Sequence, residues 1–481
     1  MKELLIGRKR EQEDLLKWIE SERSEFIAIY GRRRVGKTFL VKQTVAGRLC
    51  FQFSGSHGQT RKEQLLNFGL ALRDQFDLPQ EPIPDNWIMA FHQLKKAIEN
   101  CQSDKKIIFL DELPWIDTPK SGFVAALENF WNSWAYWRSD VKLIVCGSAT
   151  SWIINKIIRA RGGLHNRLTH SMLLRPFELS ECEEYFREYG FRFSQMQVAE
   201  CYMIMGGIPY YFSLMDRSES LAQNVDRLFF YQDAPLRNEF NNLYKALFKD
   251  YQSYIKVIKA LGEKGVGLTR QEILGKTGLD NNGEFSKMLE NLELCGFIRS
   301  YLPFRNRISR KVAEKSGRNT LYQLIDFYSL FYLKFHEEEQ TGNEKFWLAM
   351  ANSPRLNAWR GISFEMLCLC HVNKIKEALG IADVSTHTYS WRGEADGHNV
   401  QIDLLLDRKD DTVNLCEMKF TRDKFVITKE YAEKLERKLY AFMEATGTRK
   451  TILLTLITSN GITDNTYSDL VQKQVVLSQL F

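Results

Sequence analysis

The sequence predicts an α/β multidomain protein, and three observations lead to this fold class. Its 481 residues are roughly three times the length of a typical domain, so we expect three or four separate cores. In the first third, four short apolar runs (EFIAIY, CFQF, KKIIFL and VKLIVC) alternate with stretches of helical periodicity. Such runs are typical of parallel strands buried on both faces, which predicts a parallel-sheet sandwich. Strand-like runs return near the C-terminal end.

Composition places the chain among ordinary globular proteins. Lys and Arg total 66 and Asp and Glu total 60, so the net charge of +6 is too small for a basic or acidic tail protein. Hydrophobic residues make up 44% and charged residues 26% of the chain, which is the usual globular balance. The 29 glycines and 10 prolines exclude collagenous and low-complexity classes.

No targeting or membrane segment is expected. The N-terminal stretch MKELLIGRKREQED lacks the apolar core of a signal peptide, and no window approaches 18 consecutive apolar residues. The nine cysteines include no CxxC pair, so we expect separate buried thiols in a reducing cytoplasm rather than disulfides or a zinc site.

A phosphate-binding loop follows the first predicted strand. EFIAIY runs directly into GRRRVGKT, which matches GxxxxGK[ST] between a strand and the helical stretch FLVKQTV. The glycines let backbone N–H groups point at phosphate, Lys37 would reach the β- and γ-phosphates, and Thr38 would ligate Mg²⁺. This predicts a P-loop NTPase core with ATP and Mg²⁺ as cofactors. The residues expected to contact the nucleotide are Gly31, Arg32, Arg33, Arg34, Val35, Gly36, Lys37, Thr38 and Phe39.

A second motif, KKIIFLDELPW, lies about 75 residues further on and ends a strand in Asp111 and Glu112. We expect Asp111 to hold the Mg²⁺ shell and Glu112 to act as the base that polarises the attacking water. The two motifs together predict ATP hydrolysis and not only binding. No guanine-specifying NKxD motif is evident, which favours ATP.

Two further polar positions are candidates for the ATPase reaction. Ser148 follows the strand VKLIVC and is expected to contact the γ-phosphate or the water; the alternative is a Ser that opens the next helix. Downstream, we choose Arg167 from several arginines as an arginine finger for a neighbouring subunit or domain; the alternative is a solvated basic loop.

The N-terminal motifs resemble those of a known family. The stretch LIGRKREQEDL, the triple-arginine loop, FLDELPW, CGS and GGIPYY look like prokaryotic (archaeal/bacterial-type) AAA+-related ATPases, relatives of the STAND signalling ATPases. The resemblance covers roughly the first 330 residues. It implies that Gly7 and Arg8 lie near the adenine.

The middle of the chain is predicted to form helices followed by a basic segment that binds DNA. Residues 246–335 begin with three helical stretches, the second capped by Thr269 with Glu272, and continue into a basic, Gly-containing segment. This order resembles a winged helix, and the window carries 15 basic and 9 acidic residues. We expect its wing to contact DNA phosphates; the alternative is that it packs between domains.

The C-terminal region contains a second candidate site. Asp403 lies in VQIDLLLD and Glu417 and Lys419 in CEMKF, so a hairpin would bring them to one face. The carboxylates, completed by Glu365, could hold Mg²⁺ or Mn²⁺ for phosphodiester hydrolysis, with Lys419 orienting the water. The pattern looks like the D-x(n)-ExK core of restriction-endonuclease-like (PD-(D/E)xK) domains, although Ile402 precedes Asp403 where some members carry proline. The alternative is an inactive nuclease-like fold.

We therefore expect four domains and an ATPase that controls a DNA-binding and DNA-cleaving module. The main alternative is a nucleotide-switched STAND-like regulator or scaffold that associates with itself or with a protein partner. A third alternative is a ring-forming motor that translocates DNA. The expected domains are a P-loop AAA+-type ATPase core, a helical lid, a winged helix and a restriction-endonuclease-like domain, at residues 1–175, 176–245, 246–335 and 336–481.

Overall fold

The computed structural model describes residues 4–159, 166–304, 320–336, 344–351, 353–395 and 397–481. The chain divides into two compact units. The first unit comprises residues 1–177 with the short segments 208–210 and 245–249, and the second comprises residues 178–207, 211–244 and 250–481.

The first unit is built on a parallel sheet, as the alternating pattern predicts. Its strands are β1 (Glu25–Tyr30), β2 (Leu49–Ser54), β3 (Lys106–Asp111), β4 (Val141–Gly147) and β5 (His170–Leu173). Its helices are α1 (Lys9–Ile19), α2 (Lys37–Thr44), α3 (Arg61–Phe76), α4 (Trp87–Glu99), α5 (Leu113–Ile116), α6 (Phe123–Ser133) and α7 (Thr150–Ile153). The strands lie in the order β2-β3-β4-β1-β5.

The strand order explains the position of the site. Strand β4 lies between β1, which precedes the phosphate-binding loop, and β3, which carries Asp111. All pairs are parallel, so the carboxyl ends of the strands meet at one edge of the sheet, where α/β proteins bind ligands. The central strands are almost fully buried because helices cover both faces, and Phe51, Phe68, Trp87 and Trp131 fill the core beneath them.

The second unit begins with helices and a small antiparallel sheet. The helices from the predicted lid onward are α8 (Leu179–Glu188), α9 (Gln195–Met205), α10 (Pro209–Ser213), α11 (Leu221–Val225), α12 (Glu239–Leu247), α13 (Tyr251–Gly262), α14 (Arg270–Thr277), α15 (Gly283–Leu294) and α16 (Phe327–Phe331). The start of α10 and the end of α12 fall in the short segments that belong to the first unit. Strands β6 (Leu268–Thr269), β7 (Ile298–Tyr301) and β8 (Leu321–Leu324) pair in the order β6-β8-β7. The Thr269–Glu272 capping box is present at the start of α14.

The C-terminal part of the second unit contains a separate mixed sheet. Its helices are α17 (Phe346–Ala349), α18 (Pro354–Cys370), α19 (Val372–Ala378) and α20 (Lys429–Thr446). Its strands are β9 (Thr386–Ala395), β10 (His398–Arg408), β11 (Thr412–Lys419), β12 (Thr451–Thr458) and β13 (Lys473–Val476), in the order β13-β12-β11-β10-β9. Strands β9, β10 and β11 are antiparallel, and β11, β12 and β13 are parallel.

Two sequence expectations fall partly outside these ranges. Most of the basic segment expected to form a wing, residues 305–319, lies outside the described residues. Arg161, one of the arginines from which Arg167 was chosen as the finger, also lies outside them. Within the described part of the chain, no helix is both long enough and apolar enough to cross a membrane.

Candidate functional site: the phosphate-binding loop and a carboxylate–lysine cluster

The loop between β1 and α2 has the backbone that a phosphate site needs. Gly31 and Gly36 have φ values of 143° and 91°, which residues with a side chain rarely adopt. A Cβ atom on Gly31 would lie 2.2 Å from the backbone oxygen of Leu174, so only glycine fits there. Helix α2 begins at Lys37 directly after Gly36, and its first N–H groups therefore face the loop.

Lys37 is held over the loop by three oxygen atoms. Its ammonium group donates to the backbone oxygens of Gly31 and Arg32 at 3.0 and 2.9 Å, and to the Ser148 hydroxyl at 3.2 Å. The side chain is 5% exposed, so its charge lies in a poorly hydrated site where it would attract a phosphate strongly. The structure thus brings together Lys37 and Ser148, which the sequence analysis proposed as separate candidates for the ATPase reaction.

Thr38 and Asp111 form an oxygen pair suited to Mg²⁺. The Thr38 hydroxyl donates to Asp111 Oδ2 at 2.7 Å, although the two residues lie 73 positions apart. Hydroxyl and carboxylate oxygens are ligands that Mg²⁺ prefers, so this pair fits the predicted metal role. The backbone N–H of Glu112 donates to the other oxygen, Asp111 Oδ1, at 2.8 Å and fixes the carboxylate.

Ser148 connects Glu112 to Lys37. The Ser148 hydroxyl lies 2.6 Å from Glu112 Oε1, and its backbone N–H donates to Glu112 Oε2 at 3.0 Å. Glu112 itself has φ 50°, a left-handed conformation that is uncommon for a residue with a side chain and often occurs at functional sites. A lysine, a hydroxyl and a carboxylate therefore form one hydrogen-bonded row at the carboxyl ends of β1, β3 and β4.

The sequence analysis missed Cys146 as a neighbour of this row. Its Sγ atom contacts Asp111 Oδ1 inside the core. Burial, together with the charge of Asp111, raises the pKa of the Cys146 thiol well above its ordinary value, so it stays a neutral donor. Its position as the last residue of the apolar run VKLIVC gave no chemical signal.

The remaining loop residues lie around the same edge. The Arg33 guanidinium lies 6.0 Å from the Trp115 ring centroid and that of Arg34 lies 4.1 Å from the Tyr210 ring centroid. Arg32 and Val35 are buried and Phe39 is partly buried.

Gly7 and Arg8 lie before α1, and Arg8 also contacts the segment after β5. Arg8 Nη2 donates to the backbone oxygen of Arg175 at 2.6 Å, and its guanidinium lies 4.7 Å from the Phe177 ring centroid. Arg8 is 5% exposed, and the Gly7 carbonyl accepts a hydrogen bond from Gln12. These contacts hold the two residues beside the end of the sheet, but their expected role near the adenine stays a prediction.

The structure does not bring Arg167 to the phosphate-binding loop of its own chain. Its guanidinium lies 4.9 Å from the Tyr136 ring centroid, and the Tyr136 backbone oxygen accepts from Ser24, just before β1. Arg167 also precedes β5, whose first residue pairs with Ile27 near the start of β1. It therefore lies at the amino ends of the strands, and a finger role is limited to action on another molecule.

The C-terminal hairpin places the second set of predicted residues together. Leu404 on β10 pairs with Cys416 on β11 in an antiparallel register. Continuing this register by one residue places Asp403 opposite Glu417. Lys419 Nζ lies 3.4 Å from Glu417 Oε1, which agrees with the predicted common face. A cavity of about 190 Å³, inside the second unit, is lined by Glu365, Asp403, Gly265, Val266, Gln323, Ile362, Met366 and Leu369.

Helix α20 supplies two residues that the sequence analysis missed. Lys438 Nζ lies 2.6 Å from Glu417 Oε2, and the Tyr431 hydroxyl donates to Glu417 Oε1 at 3.1 Å. Tyr431 and Lys438 are seven positions apart, which is about two helical turns and places them on one face. That spacing was visible in the sequence, but only the packing of α20 on the sheet shows that the face meets Glu417.

The three carboxyl groups have different electrostatic environments. Burial, and next the charge of Asp403, raises the pKa of Glu365 to about 7. Burial also raises the pKa of Asp403, against a hydrogen bond from Gln401. Burial alone would raise the pKa of Glu417, but the ammonium groups of Lys438 and Lys419 outweigh it and lower the value. The lowered pKa favours the ionised form of Glu417.

The geometry does not supply a ready three-ligand metal site. Among the described residues, no group of three or more His, Cys, Asp and Glu side chains is arranged to hold a metal ion. The expected set of Glu365, Asp403 and Glu417 is accordingly not assembled as a complete shell, and Glu417 contacts Lys438, Tyr431 and Lys419.

Comparisons with known proteins give a family match in the N-terminal part and similar chains over about 70% of the sequence. A family model described as an ATPase domain predominantly from Archaea matches residues 5–215. An uncharacterized protein of Methanocaldococcus jannaschii is 25% identical over 336 residues, which are 69% of each chain. The solved Walker-type ATPase of Pyrococcus abyssi is 17% identical, with a TM-score of 0.49, and the match covers 69% of this chain and 96% of that one.

A second solved structure is the ORC2 protein of Aeropyrum pernix, with ADPNP and ADP. It is 13% identical, with a TM-score of 0.41, and the match covers 73% of this chain and 98% of that one. The family match coincides with the parallel sheet and with the row of Lys37, Ser148 and Glu112. Residues 5–215 of this chain are thus similar to an ATPase domain found predominantly in Archaea.

Proposed function

We propose that this protein binds and hydrolyses ATP, and that its nucleotide state controls a nucleic-acid module in the rest of the chain. The hydrogen-bonded row from Lys37 through Ser148 to Glu112 is the observation that carries the first part. It joins a phosphate-binding cation to a candidate base through one hydroxyl, at the sheet edge where the nucleotide would bind.

Each residue of the row has a separate task in hydrolysis. Lys37 binds the terminal phosphates, which then take the place of the loop carbonyls as its partners. Glu112 accepts the proton of the attacking water and Ser148 orients that water or the γ-phosphate. Thr38 and Asp111 would hold Mg²⁺, which when bound neutralises developing charge on the phosphates.

ATP hydrolysis by three variants tests this function. Lys37→Ala should lose ATP binding, whereas Glu112→Gln should keep binding and lose at least about 100-fold in kcat, since it removes only the base. Arg48→Ala serves as the control and should hydrolyse ATP normally, because this partly exposed arginine lies directly before β2, at the amino end of that strand. Unchanged hydrolysis by Glu112→Gln would rule out its role as base.

We propose that the nucleic-acid module combines a winged helix with a restriction-endonuclease-like domain. The order helix α13, strand β6, helices α14 and α15, then strands β7 and β8 supports a winged helix within the proposed residues 246–335. The hairpin carrying Asp403, Glu417 and Lys419 beside α18 and α20 supports the second domain and metal-dependent phosphodiester hydrolysis with Mg²⁺ or Mn²⁺. The four-domain division and a cytoplasmic location belong to the same proposal.

A specific observation favours the alternative, a switch or scaffold with an inactive nuclease-like domain. Glu417 has Lys438 at 2.6 Å and Tyr431 at 3.1 Å, contacts that a structural ion pair would also make. A cation must compete with these partners before it can share Asp403 and Glu417.

A cleavage assay with purified full-length protein separates the two functions. Plasmid and single-stranded DNA are incubated with Mg²⁺ or Mn²⁺, with and without ATP. If the nuclease is active, Lys419→Ala should lose cleavage but keep ATP hydrolysis, and Lys37→Ala should change only the response to ATP. If neither DNA is cut under any metal or nucleotide condition, while ATP hydrolysis persists, the scaffold function stands.

A further inference from the structure

Two cysteines of the first unit approach each other closely. Cys50 lies near the start of β2 and Cys101 follows the end of α4, and their Sγ atoms are 2.9 Å apart. A disulfide bond is about 2.05 Å long, so a movement of about 1 Å is enough to form one. Both thiols are free in the structure. The sequence suggested nine separate thiols because the cysteines are scattered and include no CxxC pair.

The two thiols have unequal surroundings, which suits thiol–disulfide exchange. Cys50 is 8% exposed, and burial raises its pKa to about 11. Cys101 is partly exposed. Burial by itself would raise the pKa of Cys101, but hydrogen bonds from Cys50 and Ser103, and the charge of Lys106, lower it. Cys101 is therefore the accessible thiol with more thiolate character, and Cys50 is the buried thiol behind it.

We propose that Cys50 and Cys101 form a dithiol site that reacts with small-molecule disulfides of the glutathione type. The Cys101 thiolate attacks one sulfur of the small disulfide and releases the first small thiolate, which gives a mixed disulfide. The sulfur of Cys50 then loses its proton, attacks Cys101 Sγ and releases the second small thiolate. Both cysteines are oxidised, one small disulfide is reduced to two thiols, and these carry away the two protons.

The bond would fasten an edge of the ATPase sheet. Strand β2 is an edge strand and pairs only with β3 within that sheet, and α3 and α4 lie between the two cysteines in the chain. Linking Cys50 to Cys101 closes this segment and restricts the unfolded chain. The cysteine pair lies near the amino end of β2. The nucleotide edge lies at the other end of this strand, where Ser54 pairs with Asp111. ATP hydrolysis should therefore continue in the oxidised protein.

Peptide mapping and thermal unfolding test this site directly. Folded wild-type protein is treated with oxidised glutathione, its remaining thiols are blocked, and it is digested with trypsin without reductant. The tryptic peptides 49–61 and 97–105 contain one cysteine each and should appear as one linked species that dithiothreitol separates. Oxidation should also raise the Tm by roughly 5 °C or more.

Three cysteine variants provide the controls. Cys101→Ser and Cys50→Ser should each lose both the linked peptide and the rise in Tm, whereas Cys370→Ser, which removes an exposed thiol elsewhere, should keep both. A wild-type protein whose two peptides remain unlinked after oxidation, while its unfolding transition is intact, would overturn the proposal. A linked peptide without any change in Tm would overturn its stabilising role at the sheet edge.

Discussion

At the scale of single residues, one hydroxyl connects the two sides of the candidate ATPase site. Ser148 contacts both Lys37, at 3.2 Å, and Glu112, at 2.6 Å. Its hydroxyl is the only side-chain atom of Ser148 that can make these bonds. Ser148 also lies just before α7, and the alternative derived from the sequence is that it serves only to open this helix. The two roles predict different effects on ATP hydrolysis when the hydroxyl is removed.

Ser148→Ala should lower kcat for ATP hydrolysis by about 10- to 100-fold with little change in ATP affinity, because Lys37 and the loop remain. The backbone N–H bond to Glu112 is retained in this variant. Ser148→Thr, which keeps a hydroxyl, is the matched control and should recover most of the activity. A normal kcat for the Ala variant, with unchanged Tm, would assign Ser148 a local structural role only.

Glu365 makes the stability depend on pH in a defined direction. Its pKa is about 7 in the folded protein and about 4.5 ordinarily, so between these values the folded state binds more protons than the unfolded state. Stability should therefore fall as the pH rises from about 4.5 to 7. In EDTA at pH 8, Glu365→Gln should raise the free energy of unfolding by up to about 3 kcal/mol, since it cannot ionise.

Chemical denaturation of the variant at pH 5 and pH 8 checks this expectation. At pH 5 the gain should largely vanish because Glu365 is then protonated in the folded protein. Glu377→Gln, a change of an exposed carboxylate on α19, should alter the free energy of unfolding by less than about 0.5 kcal/mol at both values. A gain equal at both pH values would contradict the electrostatic explanation.

At the scale of elements, the pattern of the sequence predicted the parallel strands of the first unit and the first helices of residues 246–335. The runs EFIAIY, KKIIFL and VKLIVC correspond closely to β1, β3 and β4, because a strand buried on both faces must be apolar throughout. The Thr269 cap was also predicted, since a capping box is a local hydrogen-bond pattern. The contribution of α20 was not predicted, because its packing partner is distant in sequence.

Lys438 on α20 provides the prediction at this scale. Lys438→Ala should lower the free energy of unfolding by about 3 kcal/mol, because buried Glu417 loses its closest cation. Lys434→Ala removes an exposed lysine one turn earlier on the same helix and should change the value by less than about 0.5 kcal/mol. Equal effects in urea unfolding would show that the ion pair contributes nothing beyond helix propensity.

At the scale of the whole molecule, the net charge of +6 comes from one window of the sequence. Residues 246–335 contain 15 basic and 9 acidic residues, so this window alone carries the excess of 15 − 9 = +6. The remaining 51 basic and 51 acidic residues balance. An excess beside the proposed wing is the arrangement expected for contact with a phosphate backbone.

DNA binding should therefore depend on this window and on salt. Replacing Arg305, Arg307 and Arg310 by alanine should weaken DNA binding on all sequences alike and reduce the slope of log K against log salt by about 2 to 3. The control replaces Lys9, Arg10 and Lys17 on α1, which removes the same charge elsewhere. Equal losses for both triple variants, measured by fluorescence anisotropy, would contradict a specific wing.

The sequence by itself determined the parallel α/β sheet and the ATPase motifs, because buried strands and phosphate loops impose local patterns on the residues that form them. It could not determine that Arg167 lies at the opposite ends of the strands, since the direction of a loop depends on where β5 pairs. Nor could it place Lys438 on Glu417 or Cys50 beside Cys101, because these contacts join residues 21 and 51 positions apart. Only the tertiary structure decides such contacts, since they depend on how helices pack against sheets.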